Sequence, residues 1–175
     1  MGANLNIEKE MKRIGIMSDT HGFVDPKVFE YFKEVDEIWH AGDVGSVDVI
    51  TQLEEFKPVK GVFGNIDDAT LRLHWPENQV FHCEDVKVVM THIAGKPYKY
   101  RQGAYDLIKK EKPQIFVCGH SHILMVQYDK NINALWVNPG ACGFKGFHQV
   151  KTLIRLTIDG KEIKDLEVIE IGPRA

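Results

Sequence analysis

Seven residues of metal-binding type close five apolar runs of this chain. IGIMSDTH ends in Asp19 and His21, EIWHAGD in Asp43, VKGVFGN in Asn65, VKVVMTH in His92, and QIFVCGHSH in His120 and His122. An aspartate can offer one oxygen to each of two cations, and imidazole nitrogen suits first-row transition metals. The Asn65 amide adds a neutral oxygen without further negative charge. Seven N/O donors gathered in one place suit two divalent cations rather than one.

Such gathering requires that the apolar runs be strands. In an open α/β sheet the ligand crevice lies beyond the carboxyl ends of the strands, so donors at successive strand ends converge. Arg13 to Ser18 reads as a buried strand. Asp25-Pro26 then supplies an N-cap and a proline at the first helical position before Val28, Phe29 and Phe32. Glu37 to His40 is a second strand, and Ser46 caps a helix with Val49, Ile50 and Leu53 on one face. Val59 to Phe63 and Val86 to Thr91 continue the series, separated by an irregular stretch from Asp67 to Glu77.

The loop AGKPYKYRQG follows His92, and its Lys96, Lys99 and Arg101 are candidates to meet a phosphate. A helix from Ala104 to Lys110 ends before Pro113. The later runs, Ile123 to Tyr128, Ala134 to Val137, Lys151 to Ile158 and Lys164 to Ile171, read as antiparallel strands, with Asp159-Gly160 as a turn. The expected architecture is α/β: a mixed sheet from the βα units packed on a more antiparallel sheet from the later strands, flanked by helices.

Taken in order, SDTHG, GD, GN, TH and GHSH resemble the calcineurin-like metallophosphoesterase superfamily, and the short chain with GNID is similar to its YfcE-like phosphodiesterase branch. The resemblance implies a four-layer αββα fold. It also implies a first metal on Asp19, His21, Asp43 and His122 and a second on Asp43, Asn65, His92 and His120, with Asp43 as the bridge. Asp43, Asn65 and His92 are the catalytic positions it implies, and two divalent transition-metal ions are the cofactors, manganese first, with iron, zinc or nickel as alternatives. Two cations roughly 3.5–4 Å apart lower the pKa of a bridging water and stabilise an in-line displacement at phosphorus. The implied activity is therefore that of a phosphoric diester hydrolase whose nucleophile is a hydroxide bridging the metals.

Three features depart from the family pattern. Ile66 stands where many larger members have the histidine of a GNH motif, which assists the departing oxygen; a general acid is typically worth ~10²–10⁴-fold. Asp67, Lys145 and His148 are the candidates to replace it. THIAG has Ile93 where a glycine usually follows the histidine, and NPGACGFKGF extends the NPG turn differently, placing Lys145 and His148 as candidate substrate contacts. His40, just before Ala41-Gly42-Asp43, is expected to orient the site or pack in the core.

At 175 residues the chain fits one domain, read as a tail over 1–10 and a single domain over 11–175. No apolar stretch approaches the ~20 residues of a membrane helix. A formal net charge of −3 offers no basic field for nucleic acid. Cys83, Cys118 and Cys142 are odd in number and lack CxxC spacing, which points away from a disulfide framework or a thiolate zinc site. A cytoplasmic protein acting on a small phosphodiester, with self-association possible in so small a member, is the expectation. The reading from another class is a non-catalytic interaction scaffold of the same fold, as the retromer subunit is; eroded donor positions would favour it, yet all seven are intact.

Overall fold

The structure, a computed structural model, describes residues 11–175; the tail expected over 1–10 lies outside them. β1 (Lys12–Met17), β2 (Glu37–His40) and β3 (Val59–Gly61) run parallel in one five-stranded sheet, which β11 (Val150–Asp159) and β12 (Glu162–Pro173) complete in the order β12-β11-β1-β2-β3. β11 is antiparallel to β1, with Arg13 opposite Thr157. The second five-stranded sheet has the order β4-β5-β8-β10-β9, built from β4 (Asn78–Cys83), β5 (Val86–Thr91), β8 (Ile115–Val117), β9 (Leu124–Asp129) and β10 (Ala134–Pro139). Its central strands β5, β8 and β10 are parallel. A two-stranded hairpin, β6 (Gly95–Lys96) with β7 (Lys99–Tyr100), interrupts the loop after His92.

Three apolar clusters make these sheets a four-layer molecule. Ile14, Ile16 and Trp39 of the first sheet meet Val88, Met90, Val117 and Val137 of the second in a dry layer between them. Alternate residues on the outer face of the first sheet, Met17, Ile38 and Leu153, pack on α1 (Pro26–Tyr31) and α2 (Val47–Phe56) through Val28, Phe32, Val49, Ile50 and Leu53. Val89, Phe116 and Trp136 on the outer face of the second sheet bury Ala104 and Ile108 of α4 (Gln102–Glu111). The order is thus helix, sheet, sheet, helix, the class expected from the sequence.

The caps read from the sequence form. Asp25 accepts from the Lys27 amide at 3.0 Å, and Ser46 Oγ accepts from the Val49 amide at 3.4 Å. Two expectations differ. The late strands do not form a sheet of their own: β11 and β12 extend the β1 sheet, whereas β9 and β10 extend the β5 sheet. The buried, alternating residues of β11 supply both faces of the first sheet, so pairing with β1 covers more apolar surface than a free-standing hairpin would. The stretch read as irregular contains α3 (Ala69–His74), whose N-cap Asp68 accepts from the Leu71 amide at 3.0 Å, and β4 follows it directly. Six residues are too few for helical periodicity to show.

Candidate metal centre

The carboxyl ends of β1, β2, β3, β5 and β8 converge, and all seven donor residues lie at that convergence in two groups. Asp19, His21 and His122 offer ligand atoms within 4.8 Å of one another, and so do Asp43, His92 and His120. Asn65 joins the second group, its Oδ1 lying 2.8 Å from His120 Nδ1. Asp43 faces both groups: Oδ2 lies 3.7 Å from His21 Nε2, and Oδ1 lies 3.2 Å from His92 Nε2. His122 Nε2 approaches Asp19 Oδ1 to 3.1 Å and His21 Nε2 to 3.3 Å.

The backbone is strained where it supplies these groups. Asp19, His21, Asp43, His120 and His122 all have positive φ, between 49° and 67°. Non-glycine residues seldom adopt that conformation, and it persists only where surrounding contacts over-determine it. Its effect is to turn each strand end so that a side chain points sideways into the convergence. The glycine of GN serves packing: a Cβ on Gly64 would lie 2.0 Å from Asp43 Oδ1, so the β2 and β3 ends could not approach each other with any larger residue.

The floor of the centre is buried and short of hydrogen bonds, while Asn65 and His120 are exposed at its mouth. Asp19, Asp43 and His92 are 0%, 3% and 3% exposed, and Asp19 Oδ1 and His92 Nε2 have no hydrogen-bond partner among the described residues. Buried polar atoms left unpaired cost ~1–3 kcal/mol each, so a native structure rarely keeps two side by side without a ligand. The His92 Nδ1 lies 2.6 Å from the Ala41 carbonyl, which can only accept. Nδ1 therefore carries the proton and the Nε2 lone pair faces Asp43. A divalent cation satisfies the same atoms at once; the residues fit one at each group.

Proton and cation compete for these nitrogens. Burial disfavours charge on His92, but the nearby Asp43 and Asp19 carboxylates, which favour its protonated form, outweigh it and raise its pKa. Burial also pushes Asp43 up, yet His92 and the Ile66 amide, which donates to Oδ1 at 3.1 Å, leave its pKa net lowered. His21 and His120 are shifted down, chiefly by burial, which keeps their lone pairs available.

Three further residues hold the donors in place. Asp67, 2% exposed, accepts from the amides of Gly64 at 2.7 Å, Val44 at 3.1 Å and Gly45 at 2.9 Å, and so ties the loop of Asp43 to the loop of Asn65. The sequence signal for it was GNID itself, read there as a branch marker with Asp67 as a candidate acid. His40 is fully buried, accepts at Nδ1 from the Gly42 amide at 3.1 Å, and donates from Nε2 to Thr20 Oγ1 at 3.0 Å. Burial pushes its pKa down to about 4, so it stays neutral while it shapes the turn into Asp43.

The structure places His148 behind His122. His148 Nε2 donates to the Gly143 carbonyl at 2.9 Å, which leaves Nδ1 bare, 3.2 Å from His122 Nδ1. His122 Nδ1 must then carry a proton, and its Nε2 lone pair is fixed toward Asp19. Gly146 permits the contact, since a Cβ there would lie 2.2 Å from His122 Nδ1. His148 has both nitrogens engaged and 8% of its surface exposed, and the Asp67 carboxylate is taken up by three amides. Lys145 is exposed on the same loop, close enough to disfavour a proton on His21.

A family model, the calcineurin-like phosphoesterase superfamily domain, matches residues 11–161. The chain belongs to that superfamily. Calcineurin-like phosphoesterases use divalent metals, and this member carries the donor groups to hold them. A probable metallophosphoesterase of Methanothermobacter thermautotrophicus is 30% identical over 164 residues, 91% of this chain and 92% of that one. Among solved structures, an archaeal phosphodiesterase is 26% identical with a TM-score of 0.69, over 90% of this chain and 99% of that one. Vacuolar protein sorting 29 of Cryptosporidium parvum shares the fold with a TM-score of 0.71 at 18% identity, over 93% and 98% of the two chains. The chain is thus a metal-dependent phosphoesterase of the calcineurin-like superfamily.

Proposed function

We propose that the chain hydrolyses phosphodiesters in preference to monoesters at a centre of two divalent cations, with manganese the leading metal. The observation that supports this reading best is Asp43, which directs one carboxylate oxygen at each of the two donor groups while Asp19 Oδ1 and His92 Nε2 stand unpartnered beside them. Asp19, His21, Asp43 and His122 would hold one cation, and Asp43, Asn65, His92 and His120 the other. When bound, the pair supplies Lewis acidity toward the phosphoryl oxygens and lowers the pKa of a water between them.

The chain supplies geometry. Asp67 and His40 set the turns that deliver Asp43 and Asn65, and His148 and the Ala41 carbonyl fix which nitrogens of His122 and His92 face inward. Preorganised in this way, the donors need no rearrangement as charge develops on the phosphoryl oxygens. The diester preference is supported by Ile66, which stands beside Asp43 where larger relatives carry a histidine, and by the 26% identity to an archaeal phosphodiesterase. Three unpaired thiols, all buried, accord with a reducing compartment such as the cytoplasm. The scaffold alternative has only fold likeness behind it, at 18% identity.

Metal analysis of the purified protein, with turnover of bis(p-nitrophenyl) phosphate and p-nitrophenyl phosphate, tests the proposal. The expected result is bound transition metal, faster diester cleavage, and loss of both metal and activity in Asp43→Ala. Full activity in that variant would refute the site, and a metal-free, inactive wild type would favour the scaffold.

A further inference from the structure

A cavity of about 320 Å³ opens beside the metal centre, sharing Asn65 and His92 with it. That volume lies within the ~300–1,000 Å³ usual for small-ligand sites. His92, 3% exposed with its Nε2 unpartnered, stands at the junction, so a phosphate ester seated at the centre has its remaining half directed at this space or at bulk water.

The cavity wall is positive. Arg72 and Arg101 line it against one carboxylate, Glu77. Arg72 is held in a fixed pose: its Nε donates to the Asp67 carbonyl at 2.8 Å, and its guanidinium lies 4.5 Å over the Phe63 ring. Among the described residues nothing else takes up the remaining N–H groups of that planar fork, which are left to meet an anion. Arg101 makes no side-chain cap bond although it is the N-cap of α4, and no acidic residue sits in the first turn of that ten-residue helix. The positive end of the helix is therefore uncompensated by protein where Gly103 lines the cavity, and a Cβ on Gly103 would meet nothing within 4 Å.

We infer that this cavity is a subsite for a second phosphate, so that the substrate is a phosphodiester one half of which carries a further phosphate group within about a sugar's length of the scissile one. Arg101 and Arg72 form the anion contacts, and Glu77 gives a hydroxyl-bearing linker an acceptor. The inference rests on the phosphodiesterase reading and specifies its substrate class.

Calorimetric binding to manganese-loaded protein tests it with thymidine 3′-phosphate and thymidine 3′,5′-bisphosphate, which differ only in the second phosphate. The bisphosphate is expected to bind about tenfold more tightly, as one or two charge-assisted hydrogen bonds would give. Arg101→Gln should reduce that preference to under about threefold and Arg72→Gln should weaken it, whereas Lys109→Gln, far along α4, should leave it intact. Equal affinities in the wild type, or a preference that survives the Arg101→Gln, Arg72→Gln double variant, would overturn the subsite. Turnover of bis(p-nitrophenyl) phosphate, measured in parallel, separates the two readings: turnover without preference removes the subsite alone. Preference without turnover removes the hydrolase reading and leaves the anion site standing.

Discussion

At the scale of single residues, the site depends on which nitrogen of each histidine carries its proton. His148 sets this for His122 through a bond from Nε2 to the Gly143 carbonyl and a bare Nδ1. Outer partners of metal-bound histidines typically contribute 10–100-fold in metal affinity. His148→Ala is therefore expected to weaken cation binding at His122 by roughly that factor in a calorimetric titration, and His148→Asn, whose amide oxygen can still accept from His122, to recover most of it. Ile66 is a second decisive position, 45% exposed with its amide on Asp43. Ile66→His should raise kcat for alkyl esters by ~10-fold or more and leave aryl esters, whose leaving group needs no proton, nearly unchanged. A uniform change across leaving groups would mean that the new imidazole does not act as an acid.

At the scale of elements, the chain start of α1 and the start of β11 are joined by a buried ion pair, Lys151 Nζ to Asp25 Oδ2 at 2.6 Å. Burial alone would raise the Asp25 pKa, but the Lys151 and Lys27 contacts outweigh it and lower it below 3.8. A depressed carboxylate pKa contributes stability that is fully present above 3.8 and lost as pH falls through the folded-state value. Asp25→Asn keeps a capping oxygen yet leaves Lys151, 5% exposed, without its partner. The expected loss is about 3–5 kcal/mol in urea unfolding at pH 7. The gap to wild type should narrow as the pH falls below 3.8 and close as it passes the lowered folded-state pKa, where wild-type Asp25 becomes protonated too; a gap independent of pH would show that the pair contributes nothing.

At the scale of the whole molecule, the metal centre closes the gap between the two sheets: β1, β2 and β3 supply donors from one and β5 and β8 from the other. Cations bound there link the sheets and favour the folded state by mass action, by about 2.7 kcal/mol when free cation is 100-fold above its dissociation constant. For a domain of this size, chelation should accordingly lower Tm by roughly 5–10 °C in a thermal melt. An unchanged Tm on removal of a demonstrated metal would place the ion at a site that does not join the sheets.

The candidate donors were legible in the sequence, because residue type and position at the end of an apolar run are local properties. So were the caps at Asp25 and Ser46 and the buried strand that carries Ile14 and Ile16. Sheet membership was not: β11 pairs with β1 across some 140 residues of chain, as Arg13 opposite Thr157 shows, and nothing local distinguishes that partner from β10. Nor were the positioning roles of Asp67 and His148, read from the sequence as candidates for an acid or a substrate contact, until their bonds to Gly64 and His122 are seen. The sequence by itself determined which atoms could bind metal. Only the tertiary structure decided that they form two groups facing Asp43 and opening onto an arginine-lined cavity, since long-range contacts alone bring separate strand ends into one place.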